Sequence, residues 1–237
     1  MIENKYTGFV TFKVNYQESD AIITILTDSG KISFKARGIN KINSKNGPAL
    51  NYFMISDYVL SSKSELSNKT LKTANIVKVY KSCFDDLTIS ASYLYICSLL
   101  NQVSEQINGY QMALKCFEML DENIEPLNVL NYFVKELVNA LGYKPNLDGC
   151  INCHNKNNLI SFNLEQGGFI CKKCFDNNLY INMPTLFLKD LYLFLKNDNF
   201  VQLDKQHALK IFKLYNEFFK ENNLLKTSNY DFLLKCL

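Results

Sequence analysis

Ala21-Ile22-Ile23-Thr24-Ile25-Leu26-Thr27, then Asp28-Ser29-Gly30, then Lys31-Ile32-Ser33-Phe34-Lys35-Ala36-Arg37: two β-rich runs around one tight turn decide how the first third of the chain folds. The first run is rich in β-branched residues, and Gly30 supplies the positive φ that a hairpin turn needs. In the second run Ile32, Phe34 and Ala36 fall on one face and Lys31, Ser33, Lys35 and Arg37 on the other, the period of 2 of a half-buried strand. Upstream, Val10-Thr11-Phe12-Lys13-Val14-Asn15-Tyr16 alternates in the same way, with its apolar residues at even positions. Downstream, Tyr52–Leu60 and Leu71–Lys81 are two more strand candidates, separated by the polar stretch Ser61–Asn68. Five short strands suit a small barrel.

After Asp86 the period lengthens. Leu130, Phe133, Val134, Leu137, Val138 and Leu141 recur at the spacing of one helix face, and Gly142 and Pro145 end that helix. Ile89–Ile107, Tyr110–Leu120, residues 185–197 and residues 205–222 also read as helices. In the last of these Leu209, Phe212, Leu214, Tyr215, Phe218 and Phe219 form a broad apolar face. The class is therefore α+β, with a barrel domain over residues 1–82 and a helical domain over residues 83–237.

The strongest local signal is Cys150-Ile151-Asn152-Cys153, followed after seventeen residues by Cys171-Lys172-Lys173-Cys174. Each CxxC turn can present two thiolates to one ion, and two such turns complete a tetrahedral four-sulfur site. Zn²⁺ suits these ligands best, with mononuclear iron as the alternative. Four thiolates leave no open position, so the ion is expected to be structural. Phe162 and Gly167-Gly168 between the two turns suggest a short hairpin, giving an inserted metal motif over residues 146–178. His154 is a weak substitute ligand. Cys83, Cys97, Cys116 and Cys236 lack any partner spacing and read as small buried apolar residues.

Length and composition fit two globular domains: 237 residues, 47% hydrophobic and 21% charged. No apolar run approaches the roughly 18 residues of a membrane span, and the first residues have no secretory pattern, so a soluble, cytoplasmic protein is expected. The net charge of +3 is unevenly spread. Residues 1–82 hold twelve Lys or Arg against six Asp or Glu, and residues 83–145 hold three against eight. Lys13, Lys31, Lys35, Arg37, Lys41 and Lys45 cluster in the strand region, either as a solvated outer face or as the candidate DNA contacts; the strand 2 and 3 surface of an OB-type barrel and the concentration of positive charge there favour the second. Arg37 is the only arginine, so phosphate is met mainly by lysine point charges and base-specific readout is not expected. Tyr16, Tyr52 and Phe53 are possible stacking rings, although alternation favours the core for each. No phosphate-loop, HExxH or GxSxG motif is present, and with only His154 and His207 as histidines no catalytic constellation is visible. His207 is expected on a helix surface or in its packing.

Several stretches taken together resemble one family. Gly8-Phe9-Val10, Tyr16-Gln17-Glu18-Ser19-Asp20, Leu26-Thr27 with Gly30-Lys31, and Lys35-Ala36-Arg37-Gly38 with Lys41 are similar to the N-terminal signature of the RecO DNA repair proteins. The likeness continues through Leu141-Gly142-Tyr143, Pro145, Leu147-Asp148-Gly149-Cys150 and Phe162–Cys174. It departs at Asn40, where the family usually has a basic residue, and at Tyr52, near which a proline is common. The resemblance implies an OB-fold followed by a helical domain with an inserted zinc motif. It implies binding of single- and double-stranded DNA and annealing of complementary strands. It also implies work with RecR, contact with the C-terminal tail of single-stranded DNA-binding protein, and loading of RecA, with no enzymatic step. Two other classes share some of these features: a zinc-ribbon protein of transcription or ribosome assembly, and a structural adaptor that uses only its helical domain.

Overall fold

The computed structural model describes residues 2–64, 67–104, 107–227 and 229–237 and divides into two compact units, Met1–Ile124 with Thr227–Leu237, and Glu125–Lys226. The change of period near residue 82 marks the end of the strands. The first unit runs on past it and takes back the C-terminal segment.

In the first unit β1 (Ile2–Tyr16), β2 (Asp20–Thr27), β3 (Gly30–Ala36), β4 (Met54–Ser62) and β5 (Lys69–Val79) close a barrel in the order β1-β2-β3-β5-β4. Strands β1, β2 and β3 form a meander that contains the expected hairpin at Gly30, with Ile22 opposite Lys35 and Thr24 opposite Ser33. Strand β4 pairs antiparallel with both β1 and β5. The short β3–β5 contact, Phe34 to Lys69 and Lys35 to Thr70, is parallel and completes the ring of the five-stranded OB-fold. Inside lie Val10, Ile23, Ile25, Phe34, Leu50, Tyr58 and Leu60. Of the polar stretch between β4 and β5, Glu65 and Leu66 lie outside the described residues.

The alternation in β1 is real, but it changes face. The β1–β2 register shifts between Val10 and Phe12. Val10 is buried, as is Thr11, whereas Phe12, Val14 and Tyr16 are 50%, 44% and 45% exposed. A bulge adds one residue to one strand of a pair, and every side chain beyond it changes sides. The apolar positions after the bulge therefore line the outside of the barrel, and Lys13 is drawn toward the inside.

The same unit contains α1 (Ser82–Asp85), α2 (Leu87–Leu100), α3 (Gly109–Asp121) and α7 (Tyr230–Cys236). Asp86 caps α2 by accepting the N–H groups of Thr88 and Ile89. Helix α2 stops at Leu100 and not at Ile107; Glu105 and Gln106 lie outside the described residues. Rings of Phe9, Tyr80, Tyr93 and Phe117 join barrel and helices, with Tyr93 stacked on Phe117 at a centroid distance of 3.8 Å. Asn101, just past α2, donates to the Thr11 carbonyl at 2.7 Å and accepts from the Thr11 hydroxyl at 2.7 Å. The Thr88 hydroxyl donates to the Cys236 carbonyl, and α7 lies against α2. Cys83, Cys97 and Cys116 are buried, whereas Cys236 at the end of α7 is only half-buried.

The second unit holds α4 (Pro126–Ala140), β6 (Asn146–Cys150), β7 (Leu159–Asn163), β8 (Gly168–Cys171), α5 (Thr185–Lys196) and α6 (Lys205–Glu221). Helix α4 packs on α6 and buries Leu130, Phe133, Val134, Leu137 and Val138 as the spacing requires. It ends at Gly142, whose φ of +93° lets the Tyr143 N–H reach back to the Val138 carbonyl. The polar face of α4 is buried too. The Asn131 amide donates to the Ala208 carbonyl, Asn128 exchanges hydrogen bonds with the Leu203 backbone, and the Lys135 ammonium donates to the Asn197 carbonyl at 2.6 Å. No helix among the described residues is long and apolar enough to cross a membrane.

Candidate metal centre and nucleic-acid interface

Strands β6, β8 and β7 form a three-stranded ribbon in that order, and its open end carries the cysteines. The Sγ atoms of Cys150, Cys153, Cys171 and Cys174 all lie within 4.8 Å of one another, and those of Cys153 and Cys171 are 3.6 Å apart. Sulfurs placed about 2.3 Å from a tetrahedral metal stand roughly 3.8 Å from each other, so these four can hold one ion. Both turns are fixed by the backbone: the His154 N–H donates to the Cys150 carbonyl, and the Cys174 N–H to that of Cys171. Gly168 lets the ribbon close, because a Cβ there would stand 2.6 Å from Ile151 and 2.7 Å from the Asn146 carbonyl oxygen.

Burial pushes the Cys150 thiol up, but the N–H groups of Cys171, Asn152 and Cys153 aimed at its sulfur outweigh this and bring it down to about 6. Cys174 is pushed up to about 12, first through its hydrogen bond with Cys153 and then by burial and the other two sulfurs. The Cys150 thiol is thus eased toward the thiolate while that of Cys174 is held back from it; a bound cation favours the thiolate form of its ligands. His154 lies exposed on the neighbouring turn, outside the sulfur cluster. The ribbon also has a core of its own. Phe162 meets Phe169 edge-on at 4.9 Å, and Phe169 meets Tyr192 of α5 at 6.2 Å, so the metal is not the only anchor.

His207 sits in packing, as expected, but with partners that spacing could not announce. Its Nδ1 lies 2.6 Å from Asp190 of α5 and 2.9 Å from Asp204, which also caps α6 through the N–H groups of Gln206 and His207.

On the barrel the candidate cations divide by position. Lys35 and Arg37 lie together at the rim of an open cleft of about 480 Å³ lined also by Tyr16, Ile22, Ser33 and Lys69. The Lys35 ammonium stands 4.4 Å from the Tyr16 ring centre and 3.1 Å from an Asp20 carboxylate oxygen. The Gly38 N–H and then the Lys35 ammonium hold the Asp20 carboxyl below its ordinary value. Arg37 is exposed, makes no ion pair among the described residues, and also lines a second cleft with Lys63, Asn68 and Lys72. Lys31 is committed elsewhere: its ammonium donates to the carbonyls of Asn101 and Val103 at 3.0 and 2.7 Å, closing the end of α2. Lys13 is half-buried, and burial lowers its pKa. Lys41 and Lys45 are exposed on the loop after β3. Tyr16 is exposed on the outer face with Phe12, whereas Tyr52 packs against the barrel core and Phe53 meets the rings of Phe84 and Tyr93. Lys63, Lys69 and Lys72 were not among the candidates. Only closure of the barrel by β5 beside β3 brings them to Arg37, and no local pattern carries that information.

Comparison with known proteins agrees with this architecture along most of the chain. The family model described as "Recombination protein O N terminal" matches residues 1–80, and that described as "Recombination protein O C terminal" matches residues 85–225. A protein of Bacillus pumilus named DNA repair protein RecO is 28% identical over 181 residues, which cover 74% of this chain and 70% of that protein. A protein of the same name from Listeria welshimeri is 25% identical over 239 residues, covering 97% and 93%. With an OB-fold barrel, a helical unit carrying a four-cysteine ribbon, and both halves matched in order, the chain belongs to the RecO family.

Proposed function

We propose that this protein is a recombination mediator of DNA repair that binds single- and double-stranded DNA through the outer face of its barrel and anneals complementary strands. The observation that carries the reading is the pair of clefts meeting at Arg37, with Tyr16, Lys35 and Lys69 on one side and Lys63 and Lys72 on the other. Cations track the phosphates without reading sequence, while the exposed rings of Tyr16 and Phe12 give bases a stacking surface. Family membership supports the repair role, since the relatives are named DNA repair proteins. The four-sulfur donor set favours a structural Zn²⁺ over iron, and the ion would brace the ribbon without meeting substrate.

The likeness to RecO proteins further supports action in the cytoplasm, at the nucleoid during repair. There the protein would work with RecR, engage the C-terminal tail of single-stranded DNA-binding protein, help load RecA on coated strands, and make or break no covalent bond itself. The test is annealing of complementary oligonucleotides, bare and coated. Acceleration by the protein, abolished by Lys35→Ala with Arg37→Ala, supports the mediator; equal annealing by that folded double variant would place the activity elsewhere. A preference for RNA over DNA would favour the transcription or ribosome-assembly class.

A further inference from the structure

The loop from Arg37 to Gly47 leaves β3 and is tied down along its length. Ile39 is buried in the barrel core. The Asn40 N–H donates to the Ser19 carbonyl at 3.1 Å, and its side-chain amide to Asn15 Oδ1 at 3.1 Å. The Ser44 N–H donates to the Lys41 carbonyl at 3.0 Å, and the Gly47 N–H to the Ser44 hydroxyl at 3.1 Å. Asn46 accepts the Ala74 N–H at 3.1 Å and donates to the Lys72 carbonyl at 3.2 Å. One end of the loop is thereby fastened beside the end of β1 that carries Tyr16, and the other to β5.

From this braced turn Ile42 projects wholly into solvent, at 103% relative exposure. The next most exposed large apolar residue among the described residues, Ile181, reaches 76%. Scattered apolar residues on a surface are ordinary, but most keep part of the side chain against the protein. Here Ile42 gains nothing from folding, and the loop that holds it out is not slack. Its neighbours Lys41, Asn43 and Lys45 are exposed as well. Between Asp28 and Asp57 the chain has no acidic residue, while it carries Lys31, Lys35, Arg37, Lys41 and Lys45. An apolar tip between two cations, in a segment free of carboxylates, is suited to a ligand that is anionic outside and apolar within. Nucleic acid is such a ligand, and apolar wedges between base steps are an established way of deforming it.

We propose that Ile42 is an unstacking wedge: it enters between adjacent bases of bound DNA while Lys41 and Lys45 hold the phosphates on either side. The inference rests on the DNA-binding reading above and adds the residue that opens the base stack. A strand lying in the cleft beside Tyr16, Lys35 and Arg37 meets the loop at the end of β1, so the step opened is the one next to the strand held in the cleft.

The experiment uses a short duplex with a single-stranded extension and 2-aminopurine, which brightens when unstacked, at the first paired position. The unaltered protein is expected to brighten the probe on binding. Ile42→Ser, at a fully exposed position, should stay folded, keep affinity to within about tenfold and leave the salt dependence unchanged, yet lose the brightening; Ile42→Leu should restore it. Lys41→Ala with Lys45→Ala should lower the slope of log K against log salt by about 0.7 to 0.9 per lysine. Brightening by Ile42→Ser equal to that of the unaltered protein overturns the wedge, as does binding by the unaltered protein without any brightening. Failure of the unaltered protein to bind DNA at low salt overturns the DNA-binding reading itself.

Discussion

Lys35 and Tyr16 are joined across the barrel face, the ammonium standing 4.4 Å from the ring centre, and an Asp20 carboxylate oxygen stands 3.1 Å from the same ammonium. Lys35 is thus already partly neutralised, while Arg37 two residues on makes no ion pair among the described residues. Arg37→Ala should therefore lower the magnitude of the single-strand salt slope by about 0.7, and Lys35→Ala should lower it by less. Oligonucleotide binding at several salt concentrations measures both. Equal slopes for the unaltered protein and Arg37→Ala would remove Arg37 from the phosphate track.

Tyr16→Ala separates stacking from charge. Loss of the ring should weaken single-strand binding by about 1–3 kcal/mol, alike for all sequences and with an unchanged salt slope. Tyr16→Phe, which keeps the ring, should bind nearly as the unaltered protein does. An altered slope with unchanged affinity at low salt would assign Tyr16 to positioning Lys35 and not to stacking.

Asp20 predicts a pH dependence of stability. Its carboxyl is held below the ordinary value of 3.8 by the Gly38 N–H and then by Lys35. A group whose folded pKa is depressed stabilises the fold above its unfolded pKa and loses that contribution as pH falls through the folded one. Stability should fall on acidification from neutral pH to below 3.8, and Asp20→Asn should flatten part of that fall while lowering stability at pH 7. Denaturation midpoints at a series of pH values test it; parallel curves for the two proteins would contradict it.

Much of this face could be read in the sequence, and its errors have one source. The alternation in Val10–Tyr16 reveals a strand but cannot reveal the bulge after Val10, so Tyr16, which the alternation favours for the core, lies outward with Phe12. A local period fixes which residues share a face and leaves open which face is core. The row Lys31, Ser33, Lys35 was correct as a row, yet Lys31 closes the end of α2, because the helix that uses it is some seventy residues away. The sulfur cluster was fully legible, since two CxxC turns carry their geometry locally. Helix α7 was missed because it is short and its apolar residues find their partner in the distant α2.

The four cysteines should hold one equivalent of zinc, and Cys171→Ser should lose it. Structural zinc is worth roughly 10–16 kcal/mol of apparent binding energy in small peptides, so hydrogen exchange should quicken across both cysteine turns. Because Phe162 and Phe169 pack independently and reach Tyr192, protection in α5 and α4 should survive. Elemental analysis and exchange mass spectrometry give the two readouts. A folded, reduced, metal-free protein with protected turns would exclude a structural ion, and an iron-type visible spectrum would replace zinc.

Lys135 is buried in α4, with its ammonium on the Asn197 carbonyl at 2.6 Å and the Phe194 carbonyl at 3.5 Å. Lys135→Met keeps most of the volume and strands those carbonyls, at a cost of about 1–3 kcal/mol; Lys135→Ala adds a cavity and should cost more. Hydrogen exchange in α4 reads the loss within the second unit alone. Unchanged protection in Lys135→Ala would mean that water replaces the ammonium without penalty.

The return of α7 to α2 has a consequence for how the protein is made. The first unit cannot be completed from its own leading segment, because all of Glu125–Lys226 is translated before Tyr230–Cys236 appears. At roughly 5–20 residues per second the surface of α2 that receives α7 stays bare for on the order of ten seconds after its own synthesis. During that interval the ribosome carries a barrel with an uncovered helix, and the second unit is made in full before the cover appears. The inserted unit therefore has its whole sequence before the unit that surrounds it does, an inversion of the usual order from the amino end.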